Sequence, residues 1–145
     1  MPATLTLGIV KPDAVAGGKT GAILAHLQKA GFVPRAVRLV RLTRPEAEKF
    51  YEVHRGRPFY DELVAFMTSG PCLPMALERD DAVAQMRNVI GATDPAEAAP
   101  GTIRKLFAES KGKNAIHASD SAENAAREVA FFFTEGELAG LWGKA

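Results

Sequence analysis

The chain has 145 residues, a length that favours one domain, 1–145, able to close a hydrophobic core without disulfides. Its formal net charge of +1 excludes a strongly basic surface, so no nucleic-acid partner is expected. The single cysteine, Cys72, cannot form a disulfide within the chain and is expected in the core. The residues before Lys11 include only a short apolar stretch, so we predict no signal peptide, no membrane span and a cytoplasmic location.

The first part of the chain alternates strand and helix patterns. Residues 4–10 are rich in β-branched and aliphatic side chains and end at a Lys-Pro-Asp turn, which predicts a strand. Residues 20–31 carry apolar residues at helical spacing and end in glycine, which predicts a helix. Residues 32–42 alternate apolar and charged side chains, which predicts a strand with one solvent-exposed face and an apolar face formed by Val37, Leu39 and Leu42.

Two helices and a strand are predicted in the middle of the chain. The first helix opens with a capping box, in which Thr43 and Glu46 bond each other's backbone N–H groups. A second helix is predicted after Pro58. Residues 71–79 form an apolar strand, but Pro74 has no N–H to donate. We therefore expect that strand at a sheet edge or at a bulge.

The last part of the chain contains a long connection between regular elements. A helix is predicted over 80–91, and residues 91–113 then form a poorly periodic loop of the kind that is usually functional or disordered. A short strand follows at 114–117, and a final helix begins with Asp120 and Glu123 as its capping box. This order predicts an α/β (α+β) fold, a split βαβ sandwich with helices on one face of a small sheet.

Several familiar sites are excluded by their patterns. Gly-Gly-Lys-Thr at 17–20 lies between a strand and a helix, as a phosphate-binding loop does, but Asp13 stands where that motif requires its first glycine. The three histidines, His26, His54 and His117, are far apart and match no metal-binding spacing. The chain also lacks the Gly-x-Ser-x-Gly of serine hydrolases and the Gly-x-Gly-x-x-Gly of dinucleotide-binding proteins.

The octet Asn-Ala-Ile-His-Ala-Ser-Asp-Ser at 114–121 is the strongest candidate for chemistry. His117 precedes a helix start, where backbone N–H groups favour anions. Ser119 and Ser121 offer hydroxyl groups for the ring, the backbone or a phosphate, and Glu128 on the following helix can orient the imidazole for nucleophilic attack. Taken alone, the octet leaves a structural histidine as an alternative to a nucleophile.

Longer stretches of the chain carry a family resemblance. The octet resembles the Asn-x-x-His-[Gly/Ala/Ser]-Ser-Asp signature of nucleoside diphosphate kinases. The resemblance continues through LGIVKPDAV near the start, FYEVHRGRPFYDELVAFMTSGP in the middle and MRNVIGATDPAEAAPGTIR before the octet. These segments occur in the family's order and spacing and cover nearly the whole chain.

The resemblance implies an activity and a mechanism. The enzyme would transfer the γ-phosphate of a nucleoside triphosphate to a nucleoside diphosphate by a ping-pong route through a phosphohistidine on His117, and so maintain (d)NTP pools. Little base specificity is expected. Mg²⁺ is the implied cofactor, carried by the nucleotide phosphates rather than bound by protein side chains. A nucleotide sensor or RNA-binding module without turnover is the alternative function.

The resemblance also implies roles for particular residues. Lys11 would contact the γ-phosphate and the ribose 3′-hydroxyl, and Asn114 the sugar hydroxyls. The side chains that position His117 would be Tyr51, Glu128 and Ser119. The phosphate contacts would be Arg87, Thr93, Arg104 and His54. The base would stack on Phe59, with Leu63 beside it.

The implied fold is a ferredoxin-like βαββαβ sandwich with an antiparallel four-stranded sheet and an inserted loop at 91–113. That loop would serve both the nucleotide site and subunit contacts, so a homo-oligomer is expected, a tetramer or hexamer built from dimers. Two positions depart from the family pattern: Leu106 replaces an acid, and Lys111 replaces an aliphatic residue near the base. Neither belongs to the catalytic set, so activity should be retained.

Overall fold

A four-stranded antiparallel sheet forms the centre of the molecule. The computed structural model describes residues 4–141, so the first three and last four residues of the predicted domain lie outside the described part. The strands lie in the order β2-β3-β1-β4. Their bounds are β1 Leu5–Val10, β2 Val33–Val37, β3 Leu73–Glu78 and β4 Ile116–Ala118. This strand order confirms the ferredoxin-like α+β fold.

The helices occupy the predicted intervals with a few additions. They are α1 Pro12–Ala16, α2 Thr20–Lys29, α3 Arg44–Phe50, α4 Tyr60–Met67, α5 Ala82–Ile90, α6 Ile103–Phe107, α7 Ala122–Phe132 and α8 Glu135–Leu141, with a 3₁₀ turn at Glu52–His54. The capping box of Thr43 and Glu46 is formed in full. The loop 91–113 is less irregular than predicted, because α6 lies within it.

Helices pack on both faces of the sheet, so the prediction of helices on one face was wrong. Leu7 and Ile9 of β1 pack with residues of α3, α4 and α7. The alternate residue Val10 packs with α2, α5 and α6. Because successive strand residues point to opposite faces, the sheet separates two apolar layers. Cys72 is fully buried in the first layer, as predicted, and burial raises the pKa of its thiol to about 11.

Strand β2 is shorter than the sequence pattern indicated. A register shift between Pro34 and Ala36 interrupts its pairing with β3, and beyond Val37 only an isolated bridge at Val40 continues the contact. Val37 and Leu39 are exposed, contrary to the predicted apolar face, whereas Leu42 is buried.

Pro74 lies in a central strand, and the register shift of the neighbouring pair lies at Pro34 and Ala36, so the prediction of an edge or a bulge at Pro74 was wrong. It pairs with Ile9 of β1, and its carbonyl accepts the N–H of Arg38 on the other side. The N and O of one strand residue point the same way, so the missing donor faces Arg38, one residue beyond the end of β2. Pro74 therefore removes one ladder hydrogen bond, at the point where the regular pairing of β2 with β3 ends.

The last long helix begins one residue later than predicted. Ser121 is the N-cap of α7, and its hydroxyl accepts the N–H of Asn124. Asp120 instead accepts from the side-chain amide of Asn124. The serine lies where its oxygen reaches the third N–H of the helix, which is the preferred capping geometry.

Candidate active site

His117 is the middle residue of β4 and pairs with Ile9 of β1. Its neighbours Ile116 and Ala118 point into the layer of α2, α5 and α6, so the imidazole points to the opposite face. There the ring lies edge-on to Phe50 and Tyr51, with centroid distances of 5.5 and 6.0 Å. The side chain retains 17% exposure. It is therefore held by aromatic packing and still open to a ligand.

A carboxylate fixes the orientation of the imidazole. Oε1 of Glu128 lies 2.8 Å from Nε2 of His117, and the Ser119 hydroxyl donates to the same oxygen at 2.8 Å. Burial opposes ionisation of Glu128, but the hydrogen bonds from His117 and Ser119 and the nearby charges, including Arg127, outweigh it and lower its pKa. An ionised carboxylate only accepts, so Nε2 carries the proton and Nδ1 of a neutral ring has its lone pair free.

Lys11 lies just past the end of β1 and is 8% exposed. Its ammonium donates to Oδ1 of Asn114 at 2.9 Å, and the Asn114 amide in turn donates to the Thr93 carbonyl at 3.3 Å. Burial and the charge of Arg104 lower the pKa of Lys11 to about 8, and Asp13 acts in the opposite direction. These contacts connect β1, the loop 91–113 and the approach to β4.

Two arginines add positive charge beside this lysine. Arg104 is 4% exposed and donates to the carbonyls of Ile116 at 2.7 Å and Gly91 at 3.2 Å. Burial and the charge of Arg87, in the last turn of α5, lower the pKa of Arg104 to about 10. Arg87 also acts electrostatically on Asp120, next to the histidine segment. Cations held this close favour an anionic ligand.

A row of rings leads from the histidine to the surface. Tyr51 stacks with His54 at 6.3 Å, and His54 contacts Phe59 at 5.3 Å. Phe59 is 47% exposed, an accessible aromatic face, and Leu63 is half-buried against the core. The Tyr51 hydroxyl is buried with no hydrogen-bond partner among residues 4–141, and burial raises its pKa.

Comparison with known proteins agrees with this geometry. The sequence profile of the nucleoside diphosphate kinase family matches residues 4–138. The chain belongs to the nucleoside diphosphate kinase family. It is 59% identical to the nucleoside diphosphate kinase of Chlorobium chlorochromatii over 92% of this chain and 95% of that protein. It is 58% identical to that of Sorangium cellulosum over 92% and 93%. Relatives so similar in sequence and coverage show that the chain is an enzyme of nucleotide phosphate transfer.

Solved structures of nucleoside diphosphate kinases share the fold. The Aquifex aeolicus enzyme superposes with a TM-score of 0.91 at 48% identity, covering 93% of this chain and 98% of that one. A Halobacterium salinarum enzyme in complex with CDP gives 0.87 at 40% identity, covering 92% and 89%. The arrangement of strands around His117 is thus that of the family.

The two departures from the family pattern lie at the surface. Leu106 on α6 is 54% exposed, and Lys111 is exposed in the loop that follows. Helix α6 is tied to α2 by Lys19, whose ammonium donates to the Phe107 carbonyl at 2.9 Å. Lys19 is the lysine of the Gly-Gly-Lys-Thr segment, which does not match the phosphate-binding motif. In the structure its ammonium joins two helices instead.

Sequence reasoning missed two residues next to the site. Phe50 packs on the imidazole, but an apolar residue in a helix carries no functional signal. Asp13 accepts the N–H of Ala115 at 3.2 Å, although the sequence had singled it out only as a mismatch to a phosphate-loop glycine. The Lys-Pro-Asp turn that contains it was the available signal.

Proposed function

We propose that this enzyme transfers the γ-phosphate of a nucleoside triphosphate to a nucleoside diphosphate by a ping-pong mechanism through a phosphohistidine on His117, and that it serves (d)NTP pools. The observation that carries the proposal is the pair His117 Nε2 and Glu128 Oε1 at 2.8 Å. This contact directs the free lone pair of Nδ1 away from the carboxylate. A nucleophilic histidine needs this combination of exposure and fixed tautomer.

The chemistry divides into two displacements at one phosphorus. Nδ1 of His117 attacks the γ-phosphorus, the bond between that phosphorus and the β–γ bridging oxygen breaks, and the nucleoside diphosphate leaves. The terminal oxygen of a second diphosphate then attacks the phosphohistidine and releases Nδ1. Ionised Glu128 stabilises the positive charge that develops on the ring, and Ser119 holds that carboxylate in place.

Positive side chains would hold the phosphates during both steps. Lys11, Arg104 and Arg87 lie close enough to act on one another electrostatically, and Arg104 donates to the carbonyl of Ile116, next to His117. Guanidinium groups fork onto two phosphate oxygens and remain charged, and the ammonium of Lys11 would reach the γ-phosphate and the 3′-hydroxyl. His54 and Thr93 would supply further contacts.

The nucleoside would lie between the exposed ring of Phe59 and the side-chain amide of Asn114. Phe59 offers its face to a base with Leu63 beside it, and Asn114 would bond the ribose hydroxyls. Stacking without hydrogen bonds to the base edge tolerates any base, so purine and pyrimidine nucleotides should be used alike. The CDP bound by the Halobacterium relative supports a pyrimidine nucleotide as ligand.

Mg²⁺ is the proposed cofactor and would arrive with the nucleotide. Among residues 4–141, no three His, Cys, Asp or Glu side chains are grouped as a metal site. Phosphate oxygens and water are ligands that suit this ion. When bound, the ion neutralises charge on the phosphates. Chelation by EDTA should abolish transfer and leave the unfolding temperature of the free protein unchanged.

We also propose a homo-oligomer, a tetramer or hexamer built from dimers. Strand β2 is a sheet edge, and it exposes Val33 and Val37, followed by Leu39; such an apolar edge favours pairing with another copy. Solution mass by light scattering decides the number of subunits.

Within residues 4–141 none of the helices is long and apolar enough to cross a membrane. A cytoplasmic location is proposed on the basis of the single reduced cysteine.

The proposed mechanism is tested by isolating the intermediate. The protein is mixed with γ-labelled ATP and Mg²⁺, freed of nucleotide and assayed for acid-labile label. Label should attach to the wild type and to a His26→Ala control, be discharged by GDP or CDP, and fail to attach to His117→Ala. Initial rates should give parallel double-reciprocal lines. Label that attaches equally well to His117→Ala would show that His117 is not the nucleophile. Label that never attaches would favour a nucleotide-binding module without this turnover.

A further inference from the structure

Ala115 has a left-handed backbone conformation directly before the histidine strand. Its φ is +74°, a region that side-chain-bearing residues rarely adopt. The Ile116 N–H donates to the Asn114 carbonyl across it at 2.9 Å. A two-residue hydrogen bond closed around positive φ is the rare and strained form of the γ-turn. The turn joins the sugar-binding candidate Asn114 to the strand that carries His117.

Contacts from the start of the chain hold this strained turn on both sides. Oδ2 of Asp13 accepts the Ala115 N–H at 3.2 Å, and the Lys11 N–H donates to the Ala115 carbonyl at 2.9 Å. The backbone N–H and the carbonyl of Ala115 are thereby both held by the Lys-Pro-Asp segment. Strain of this kind persists only where surrounding structure over-determines it.

We propose that Asp13 is a positioning residue for phosphoryl transfer: it holds the strained turn at Ala115 and so sets the relative placement of Lys11, Asn114 and His117. This inference rests on the proposed function of His117. The inference goes beyond that function because Asp13 contacts neither the reacting atoms nor the imidazole. Its acceptor oxygen acts through the backbone.

The charge of Asp13 has a second effect, on Lys11. The groups acting on that ammonium are Asp13 on α1, Arg104 on α6 and the Asn114 amide. Burial and Arg104 lower the pKa of Lys11 to about 8, and Asp13 opposes them. Oδ1 of Asp13 is buried without a hydrogen-bond partner among residues 4–141, so its charge is available to the lysine. Asp13 thereby favours the protonated form of Lys11, in opposition to burial and Arg104.

Two variants separate the turn from the charge. Asp13→Asn keeps an oxygen that can accept the Ala115 N–H but removes the charge, whereas Asp13→Ala removes both. Asp80→Asn, at an exposed aspartate before α5, is the matched control. The readouts are the single-turnover rate of His117 phosphorylation by γ-labelled ATP between pH 6 and 10, and the NMR titration of the Lys11 ammonium.

Asp13→Ala should lower the phosphorylation rate at pH 7 about tenfold or more, the scale of one lost charge-assisted hydrogen bond. Asp13→Asn should stay within a few-fold of wild type at pH 7, while its alkaline limb and the Lys11 titration both move to lower pH. Adding Ala115→Gly to Asp13→Ala should restore several-fold of the lost rate, since glycine adopts positive φ without strain. Asp80→Asn should match wild type throughout.

The proposal is overturned if Asp13→Ala phosphorylates His117 at the wild-type rate, if Ala115→Gly restores nothing, or if the Lys11 titration is the same in Asp13→Asn. Should Asp13→Ala fail to fold, the Asn variant still decides through its titration. A failure of the proposed function itself looks different, because the wild type would then take no label on His117. In that case amide exchange at Ile116, faster in Asp13→Ala than in wild type, still tests the turn.

Discussion

His117 and Glu128 are joined by a 2.8 Å hydrogen bond between Nε2 and Oε1, and an ionised carboxylate there leaves the lone pair of Nδ1 free. The two residues come from β4 and α7, 11 positions apart in the chain. Since Ser119 donates to the same carboxylate oxygen, the oxygen is fixed by two donors. The orientation of the proposed nucleophile therefore depends on a buried carboxylate from another element.

Replacing the carboxylate should slow phosphorylation without removing the nucleophile. Glu128→Gln keeps the shape and an acceptor oxygen but loses the charge that stabilises the developing imidazolium. Hydrogen bonds to charged groups contribute about 1.5–3 kcal/mol, so the single-turnover rate should fall roughly 10- to 100-fold. Rapid-quench labelling with γ-labelled ATP measures it. The exposed Glu97→Gln is the control, and an unchanged rate in Glu128→Gln would exclude an electrostatic role.

The same carboxylate should make stability depend on pH at the acid end. The pKa of Glu128 is lowered from its ordinary value of 4.5 in the folded protein. A lowered carboxylate pKa contributes stability that is present above pH 4.5 and is lost as the pH falls through the folded value. Denaturant midpoints measured from pH 7 downwards should therefore decline below pH 4.5, and less steeply in Glu128→Gln. Equal slopes in the two proteins would contradict the assignment.

Phe59 should contribute to nucleotide binding and little to stability. Its side chain is 47% exposed, and base stacking on an aromatic ring is worth about 1–3 kcal/mol. Phe59→Ala should lower kcat/KM by roughly 5- to 100-fold, by similar factors for purine and pyrimidine diphosphates, with a nearly unchanged unfolding temperature. Val53→Ala, at a neighbouring position 59% exposed, should leave kinetics unchanged. A loss confined to stability, with unchanged kcat/KM, would contradict a role of Phe59 in base stacking.

Gly91 should tolerate no side chain where the loop 91–113 begins. Its φ is +88°, and an added Cβ would lie 2.6 Å from Oγ1 of Thr102, the residue that caps α6. Gly101 has φ +85° with nothing within 4 Å of such a Cβ, so it isolates the backbone strain. Gly101→Ala should cost about 1–2 kcal/mol of unfolding free energy. Gly91→Ala should cost more and also slow transfer, because the Gly91 carbonyl anchors Arg104. An equal loss of unfolding free energy in Gly91→Ala and Gly101→Ala would contradict the predicted clash with Thr102.

Local signals in the sequence predicted much of the fold. The apolar pattern of β1 and the capping box of Thr43 and Glu46 were predicted correctly, because residues close together in the sequence determine both. The errors concern β2 and Pro74, where position depends on distant partners. The sequence of β3 does not show that Pro74 faces Arg38, just beyond the end of β2, because the register of two strands depends on both of them.

The candidate site was predictable to a similar extent. The octet around His117 and the family resemblance located the basic and aromatic residues, and the structure brings Lys11, Asn114 and Arg104 together. Sequence could not show that Asp13 reaches Ala115 across 102 positions, nor that Ala115 has positive φ, since alanine carries no such signal. The contacts that meet this turn come from residues about one hundred positions earlier in the chain.

The most direct measurement is the identity of the phosphorylated nitrogen. Enzyme labelled with ATP and Mg²⁺ is unfolded at alkaline pH, where phosphohistidine survives, and examined by mass spectrometry and by phosphorus–nitrogen NMR couplings. The contact between Glu128 and Nε2 predicts phosphate on Nδ1 of His117 alone. Phosphate on Nε2, or on any other residue, would contradict it.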